Sequence, residues 1–223
     1  MKAFYCLILI LCINVSSAAS TFEQLKKACE LEDDISCFEF ANLAYQQQKR
    51  GYYKDAYNSL VKSCELNNQK GCYAAFYFGY NGELGIKTND KTFLGYGKKG
   101  CELKHNESCL GIGAYYLEKK EYSNAITYLK QACDLESGKG CMLLSAYYLQ
   151  NKHDYQSFEK YAVLGCNLGD ATSCIMMSNS KKTGLTGKPN IVESMKYLKK
   201  GCLVDYERHY DGECSSVLLD NRD

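Results

Sequence analysis

The chain has 223 residues, and 46% of them are hydrophobic, which is enough apolar material to bury a sizeable core. A formal net charge of +1 and a content of only three arginines exclude an overall electrostatic attraction to nucleic acid or to an anionic membrane. One proline, no tryptophan and 20 tyrosines favour a mostly helical chain whose helices pack through aromatic rings.

The first predicted element is a signal peptide over residues 1–19. Lys2 precedes an apolar run at 3–15, and small residues follow at 16–20, as a signal peptidase requires. The run is shorter than the roughly 18 apolar residues of a membrane-spanning helix. We therefore expect cleavage near Ala19, a secreted or periplasmic protein, and no membrane contact of the mature form.

Regular cysteine pairs follow the predicted signal peptide. Loss of Cys6 and Cys12 with that segment leaves twelve of the 14 cysteines, an even number that predicts disulfides in an oxidising compartment. Their repetition favours bonds between neighbouring cysteines along the chain. The pairs are Cys29 and Cys37, Cys64 and Cys72, Cys101 and Cys109, Cys133 and Cys141, Cys166 and Cys174, each eight positions apart, and Cys202 and Cys214, twelve apart.

The spacing of eight positions also indicates a turn. Two positions eight apart on one continuous helix lie about 12 Å from each other, whereas a disulfide needs Cα atoms within about 7 Å. The chain must therefore reverse direction between the two cysteines of a pair.

Zinc binding is the alternative use of so many cysteines, but structural zinc sites favour about two to four residues between paired ligands. Because His105, His153 and His209 follow no ligand spacing either, we expect no metal and no cofactor.

A repeat of 32 to 37 residues, measured between the first cysteines of successive pairs, runs along the chain. A small residue precedes each first cysteine, and leucine or valine follows two positions after it. A period of this length predicts one helical hairpin per repeat. Helix A begins at the second cysteine of a pair, and helix B ends near the first cysteine of the next. Predicted helices A cover 37–48, 72–81, 109–120, 141–152 and 174–182; helices B cover 53–66, 90–103, 122–135, 154–168 and 190–203; caps cover 21–31 and 214–223.

Segments of both helices carry a family resemblance. CLGIGAYY and CMLLSAYY begin two of the A helices, and AITYLKQACDL ends one of the B helices. These segments resemble the Sel-one-like repeat, a relative of the tetratricopeptide repeat, and the cysteine pairs behind a signal peptide resemble the Helicobacter cysteine-rich proteins. The resemblance covers residues 21–214. It implies an all-α, right-handed αα-hairpin solenoid over residues 20–223, with about five repeats plus terminal caps, each hairpin turn stapled by a disulfide, and we expect a monomer.

Two functions are implied by this resemblance. One is binding of penicillin-type β-lactams or a cell-wall-like small molecule, with slow hydrolysis of the β-lactam amide. The other is non-catalytic binding of a protein or an extended peptide. Serine enzymes that act on β-lactams use the motifs S-x-x-K, S-D-N and K-T-G. Here S-x-x-K occurs at 59–62, 157–160 and 178–181, and K-T-G at 182–184, but S-D-N is missing, so the catalytic residues stay unknown.

The binding hypothesis names a surface. By analogy with tetratricopeptide packing, helix A lines a concave face, where asparagines can hydrogen-bond the main chain of a peptide and tyrosines offer flat contact area. For any single tyrosine, packing between repeats is the equally favoured alternative. The predicted concave binding surface consists of Asn42, Tyr45, Tyr77, Tyr80, Asn179 and Lys182.

Overall fold

The computed structural model describes residues 21–86 and 88–204 of the chain. The predicted signal peptide, Cys214 and the predicted cap at 214–223 lie outside the described residues. Contacts between Cα atoms divide the chain into two compact units, Met1–Ser108 and Cys109–Asp223. Helices account for all the regular structure of the described residues, and no strand occurs among them.

Both units are built from helices of similar length that pack against their neighbours along the chain. The first contains α1 (21–30), α2 (Asp34–Gln46), α3 (Tyr53–Glu65), α4 (Gln69–Asn81) and α5 (Asp90–Glu102), with 3₁₀ turns at Arg50–Tyr52 and Glu83–Gly85. The boundary between the units falls within α6 (Asn106–Glu118). The second contains α7 (Tyr122–Asp134), α8 (Gly138–Tyr147), a π-helical turn at Tyr148–Lys152, α9 (Tyr155–Asn167), α10 (Ala171–Thr183) and α11 (Ile191–Val204).

Disulfides close the turns between helix B of one repeat and helix A of the next. The Cα atoms of four bonded pairs lie 4.3 to 4.8 Å apart. Cys101 and Cys109 are also disulfide-bonded, and so is Cys202, whose predicted partner Cys214 lies outside the described residues. The predicted chain reversal and the all-helical, disulfide-stapled repeat are thus confirmed.

Helix A starts earlier than the sequence pattern predicted. Its first residue lies three positions before the cysteine, as Gln69 does before Cys72 in α4. The reason is a capping residue four positions after the first cysteine, whose side chain caps helix A in four of the described turns. The Asn68 side chain accepts hydrogen bonds from the backbone at the start of α4, and its own N–H donates to the Ser63 carbonyl oxygen at 3.0 Å. One residue therefore ends helix B and begins helix A. The equivalent side-chain caps are Asp33, Ser137 and Asp170.

The small residues of the sequence pattern lie where the two helices of a turn approach most closely. A Cβ on Gly100 would overlap the Ser108 hydroxyl, and a Cβ on Gly140 would lie 2.9 Å from that of Ala132. The residue before the first cysteine thus faces the residue before the second. A glycine on one side makes room for serine or alanine on the other.

Each unit has an aliphatic and aromatic core. In the first unit it consists of Phe22, Phe40, Ala41, Ala44, Ala56, Leu60 and Ala75. In the second, one cluster contains Leu129, Cys133, Cys141 and Leu144, and another contains Phe158, Ala162 and Met177. The repeated tyrosines of helix B fill the space between helices, since Tyr128 stacks on Tyr116 and Tyr161 stacks on Tyr148.

One buried tyrosine of the first unit has an unsatisfied hydroxyl. Tyr57 is 6% exposed, its hydroxyl has no hydrogen-bond partner among the described residues, and burial raises its pKa to about 12. An unpaired buried hydroxyl destabilises a fold by about 1–3 kcal/mol. We therefore expect Tyr57→Phe to leave the free energy of unfolding unchanged or to raise it by up to about 1 kcal/mol in urea denaturation. Tyr155→Phe, at an exposed tyrosine, is the control, and a clear loss of stability at position 57 alone would contradict the expectation.

Candidate binding groove between α2 and α4

A groove of about 450 Å³ opens between α2 and α4 of the first unit. Phe38, Asn42 and Tyr45 lie on its α2 wall, because they recur at helical spacing on one face of that helix. Tyr73 and Tyr77 lie on its α4 wall, four positions apart. The helix period therefore aligns these five side chains along the two walls.

Small or buried apolar residues line the deeper part of the groove. Ala41 of α2 is 3% exposed, and Leu60 of α3 is 2% exposed. Ala74 of α4 is partly buried and packs against the same core. Because alanine side chains are short, the space between the aromatic walls stays open above Leu60.

The aromatic walls are rigid but accessible. The rings of Tyr45 and Tyr77 both meet Phe78 edge-on, with centroid distances of 5.0 and 5.6 Å. Such pairs hold the rings in place at little conformational cost. Tyr45 is nevertheless 43% exposed and Tyr77 is 41% exposed, so both offer ring area to a ligand.

One end of the groove carries Lys70, His105 and Glu107. The His105 ring lies 5.3 Å from that of Tyr73, its Nδ1 is 3.2 Å from the Ser108 hydroxyl, and its Nε2 is 3.5 Å from the Glu107 carboxylate. Burial lowers the pKa of His105, although the Glu107 carboxylate acts in the opposite direction. His105 is therefore uncharged at neutral pH, and Lys70 supplies the positive charge at this end.

The Tyr45 hydroxyl is engaged by a carboxylate. It donates a hydrogen bond to Oε2 of Glu83 at 3.1 Å, and this bond raises the pKa of Tyr45. Glu83 belongs to the 3₁₀ turn Glu83–Gly85, which follows α4. This turn thus orients the ring of Tyr45, one of the exposed rings of the groove.

Comparison with known proteins identifies the fold. No family profile matches the sequence, and no curated protein matches it. A Sel1 repeat protein from Oxalobacter formigenes superposes with a TM-score of 0.67 at 14% identity, over 78% of this chain and 74% of that chain. The chain has the Sel1-repeat fold.

Two further solved structures are similar to this Sel1-repeat chain. The protective antigen c5321 of uropathogenic Escherichia coli, with an SLR fold, gives a TM-score of 0.67 at 16% identity, over 91% of this chain but only 51% of that one. The chain thus spans about half the length of that relative. Cysteine-rich protein B of Helicobacter pylori is 26% identical, with a TM-score of 0.44, over 57% of this chain and 95% of that chain. The predicted resemblance to Sel-one-like repeats is confirmed at the level of the fold.

The Sel1-repeat fold brings three of the six predicted surface residues together, since Asn42, Tyr45 and Tyr77 all line the groove. Tyr80 does not line it. Its ring stacks on Phe76 and meets Phe93 edge-on, so Tyr80 follows the alternative in which a tyrosine packs between helices. Asn179 and Lys182 lie exposed on α10 in the second unit.

Sequence reasoning missed the charged end of the groove. Lys70 precedes Cys72, where helix A was predicted to begin, so it was assigned to a turn; it lies in the first turn of α4. His105 and Glu107 were left out for the same reason. The capping residues four positions after a first cysteine were the available signal, because a side-chain cap there starts helix A three positions before the second cysteine. These residues are Asp33, Asn68, Ser137 and Asp170.

The third S-x-x-K motif of the chain is part of a packed interface. The Ser178 hydroxyl is buried, 3.0 Å from the Ser194 hydroxyl. The Lys181 ammonium pairs with the Glu159 carboxylate and lies 3.8 Å from that of Glu193. Its hydrogen bond to Glu159 raises the pKa of Lys181. The Lys181 ammonium is thus engaged by two carboxylates.

The other two motifs also serve the helices. The Ser59 hydroxyl donates to the Asp55 carbonyl oxygen at 2.9 Å, and the Lys62 ammonium donates to the Glu30 carbonyl oxygen at 3.1 Å. The Ser157 backbone N–H donates to Oδ1 of Asp154, the side chain that caps the start of α9.

Among the described residues, no group of three or more His, Cys, Asp or Glu side chains could hold a metal ion. In the same part of the chain, no helix is both long and apolar enough to cross a membrane.

Proposed function

We propose that this Sel1-repeat protein is a non-catalytic binding module that holds an extended polypeptide in the groove between α2 and α4. The observation that carries the proposal is the open aromatic groove itself, with two tyrosines about two-fifths exposed above an apolar floor. Mostly apolar, largely preformed clefts with a few polar groups are typical of binding sites. The walls stand on helices, so little order has to be created on binding.

The groove supplies two kinds of contact. The Asn42 amide has donors and acceptors for the main chain of a peptide, and at present its Oδ1 accepts only a bond from Gln46 at 3.2 Å among the described residues. Tyr45 and Tyr77 supply large, rigid contact areas. Main-chain bonds would hold an extended chain, while the rings would select its side chains.

We propose the periplasm or the extracellular space as the compartment in which this binding occurs. Disulfides form and persist in oxidising surroundings, and the turns of both units carry them. The signal peptide predicted for residues 1–19 would direct the chain there.

The tyrosines of the groove provide the test. Random peptides displayed on phage would be selected against the oxidised full chain, and their affinity would then be measured for the variant Tyr45→Ala/Tyr77→Ala. Because exposed aromatic residues are typical binding hot spots, we expect a loss of about tenfold or more. Tyr122→Ala/Tyr155→Ala is the matched control, since these tyrosines of the second unit are similarly exposed. Circular dichroism and thermal unfolding would verify that both variants fold.

Equal binding by the two double variants would contradict the proposal. It would show that selected peptides bind elsewhere on the chain. Failure of the selection to enrich any peptide on the wild-type protein would also contradict the proposal.

Binding of β-lactams with slow hydrolysis is the second candidate, and the volume of the groove favours it, because about 450 Å³ suits a small molecule. Labelling by a fluorescent penicillin would be followed in the wild-type protein and in Ser59→Ala, Ser157→Ala and Ser178→Ala. Because hydrogen bonds and ion pairs already engage the side chains of these motifs, we expect no covalent labelling. Labelling that one alanine variant abolishes would establish a serine nucleophile.

A further inference from the structure

A second cavity adjoins the groove in the first unit. It encloses about 580 Å³ and shares Phe38 and Lys70 with the groove as lining residues. It lies beside the hairpin turn that joins α3 to α4 and takes Asn67 and Gln69 from that region. We call it the turn cleft. An extended chain that leaves the groove past Phe38 therefore enters the turn cleft directly.

The groove favours an apolar side chain on its ligand. Ala41 and Ala74 leave a recess between the aromatic walls, and Leu60 belongs to the core beneath it. A large aliphatic or aromatic side chain placed there would replace water against apolar surface. Polar side chains would lose hydration without gaining partners in this part of the groove.

The turn cleft favours a positive charge. It is lined by the carboxylates of Asp34 and Glu39, while Lys70 is the only cationic lining residue among those that the structure describes. Asp34 accepts a hydrogen bond from the Asn68 amide at 2.9 Å, and Glu39 is exposed. No ion pair among the described residues involves Glu39. Because Glu107 adds a further carboxylate in the groove, carboxylates outnumber ammonium groups among the described lining residues of the two cavities.

Amide groups complete the turn cleft. Asn67 and Gln69 are both exposed there and present side-chain donors and acceptors. They can hydrogen-bond the main chain of a peptide without adding charge. The two cavities therefore differ in chemistry: one is apolar and aromatic, and the other is acidic and rich in amides.

We infer that the partner is a polypeptide with a large apolar side chain followed or preceded, a few residues away, by lysine or arginine. The apolar side chain lies over Ala41 and Ala74, and the basic side chain reaches Glu39 in the turn cleft. This inference rests on the proposed function and adds the chemical class of the partner to it. Charge complementarity of this kind selects partners and speeds their association.

Sequences of the phage-selected peptides provide the first test. We expect a large apolar residue with lysine or arginine nearby. One selected peptide and its analogues with the basic residue replaced by glutamine or glutamate would then be titrated by fluorescence polarisation. For the glutamine analogue we expect a loss of about threefold to tenfold, and for the glutamate analogue a larger one.

Variants of the protein locate the basic side chain. Glu39→Gln is expected to weaken binding of the selected basic peptide by about threefold to tenfold, and Glu39→Lys by more than Glu39→Gln. Both are expected to leave the glutamine analogue almost unaffected. Glu23→Gln is the matched control, because this exposed glutamate of α1 lines neither cavity.

The outcomes separate the inference from the proposed function. Peptides that need Tyr45 and Tyr77 but lack a basic residue, or that bind Glu39→Gln and Glu23→Gln equally well, would overturn the inference and leave the proposed function standing. Selection of acidic peptides would overturn it in the same way. Peptides that bind independently of the two tyrosines would overturn both.

Discussion

Replacing Cys133 and Cys141 together by alanine is expected to lower the free energy of unfolding by about 2.6 kcal/mol, because a nine-residue loop is no longer closed in the unfolded chain. The two Cα atoms lie 4.8 Å apart, and Cys133 and Cys141 belong to a core cluster of the second unit. Loss of buried sulfur adds to the effect. Urea denaturation of the oxidised protein would measure it.

Reduction provides the control for this experiment. In the presence of a thiol reductant, the wild-type protein should fall to or below the stability of the alanine variant, because its other disulfides open as well. A double variant as stable as the oxidised wild type would contradict the expectation. It would mean that the unfolded chain keeps this turn closed without the bond.

The backbone of Glu136, inside the same turn, has a conformation that the disulfide helps to hold in place. Its φ of 64° lies in the left-handed region, which costs a non-glycine residue about 1–2 kcal/mol. The other described turns between paired cysteines repeat the conformation at Glu32, Asn67 and Lys104, and in the remaining one Gly169 adopts it without that cost. The disulfide and the cap therefore hold a backbone conformation that these side chains disfavour.

The second large effect is expected at the facing pair Gly165 and Ser173 of the second unit. A Cβ on Gly165 would overlap the Ser173 hydroxyl, and it would lie 3.0 Å from the Ser173 Cβ and 3.1 Å from the Gly138 carbonyl oxygen. Gly165→Ala gains about 1 kcal/mol of helix propensity, but overpacking costs about 1–3 kcal/mol and more where backbone must move. We expect a net loss of about 1–2 kcal/mol in urea denaturation.

Ser173→Gly is expected to rescue Gly165→Ala. The Ser173 hydroxyl has no hydrogen-bond partner among the described residues, so its removal breaks no bond. The double variant recreates the arrangement of Ala132 and Gly140 in the preceding turn, where the larger residue stands first. We expect its stability to lie within about 1 kcal/mol of the wild type, because the effects of substitutions at touching residues usually couple by about 0.5–3 kcal/mol. Additive losses in the double variant would refute the facing-pair explanation.

The groove shows which positions helix periodicity alone can align. Asn42, Tyr45 and Tyr77 were predictable because helix periodicity alone puts them on one face of helix A, whichever residues pack behind them. The charged end was not predictable in the same way. Lys70 and His105 come together only because one cap starts α4 early and the next turn returns the chain beside it.

By itself, the sequence determined that the chain is helical, that it reverses within the cysteine pairs spaced by eight positions, and that a small residue precedes each first cysteine. Those features depend on local spacing, and a disulfide limits the distance between two positions regardless of the rest of the chain. The tertiary structure alone decided that Tyr80 packs on Phe76 outside the groove, while Tyr77, three positions earlier, lines it, although the two side chains are almost equally exposed, at 40% and 41%. Both tyrosines suit an exposed or a half-buried position equally well, and only the neighbours supplied by other helices distinguish them.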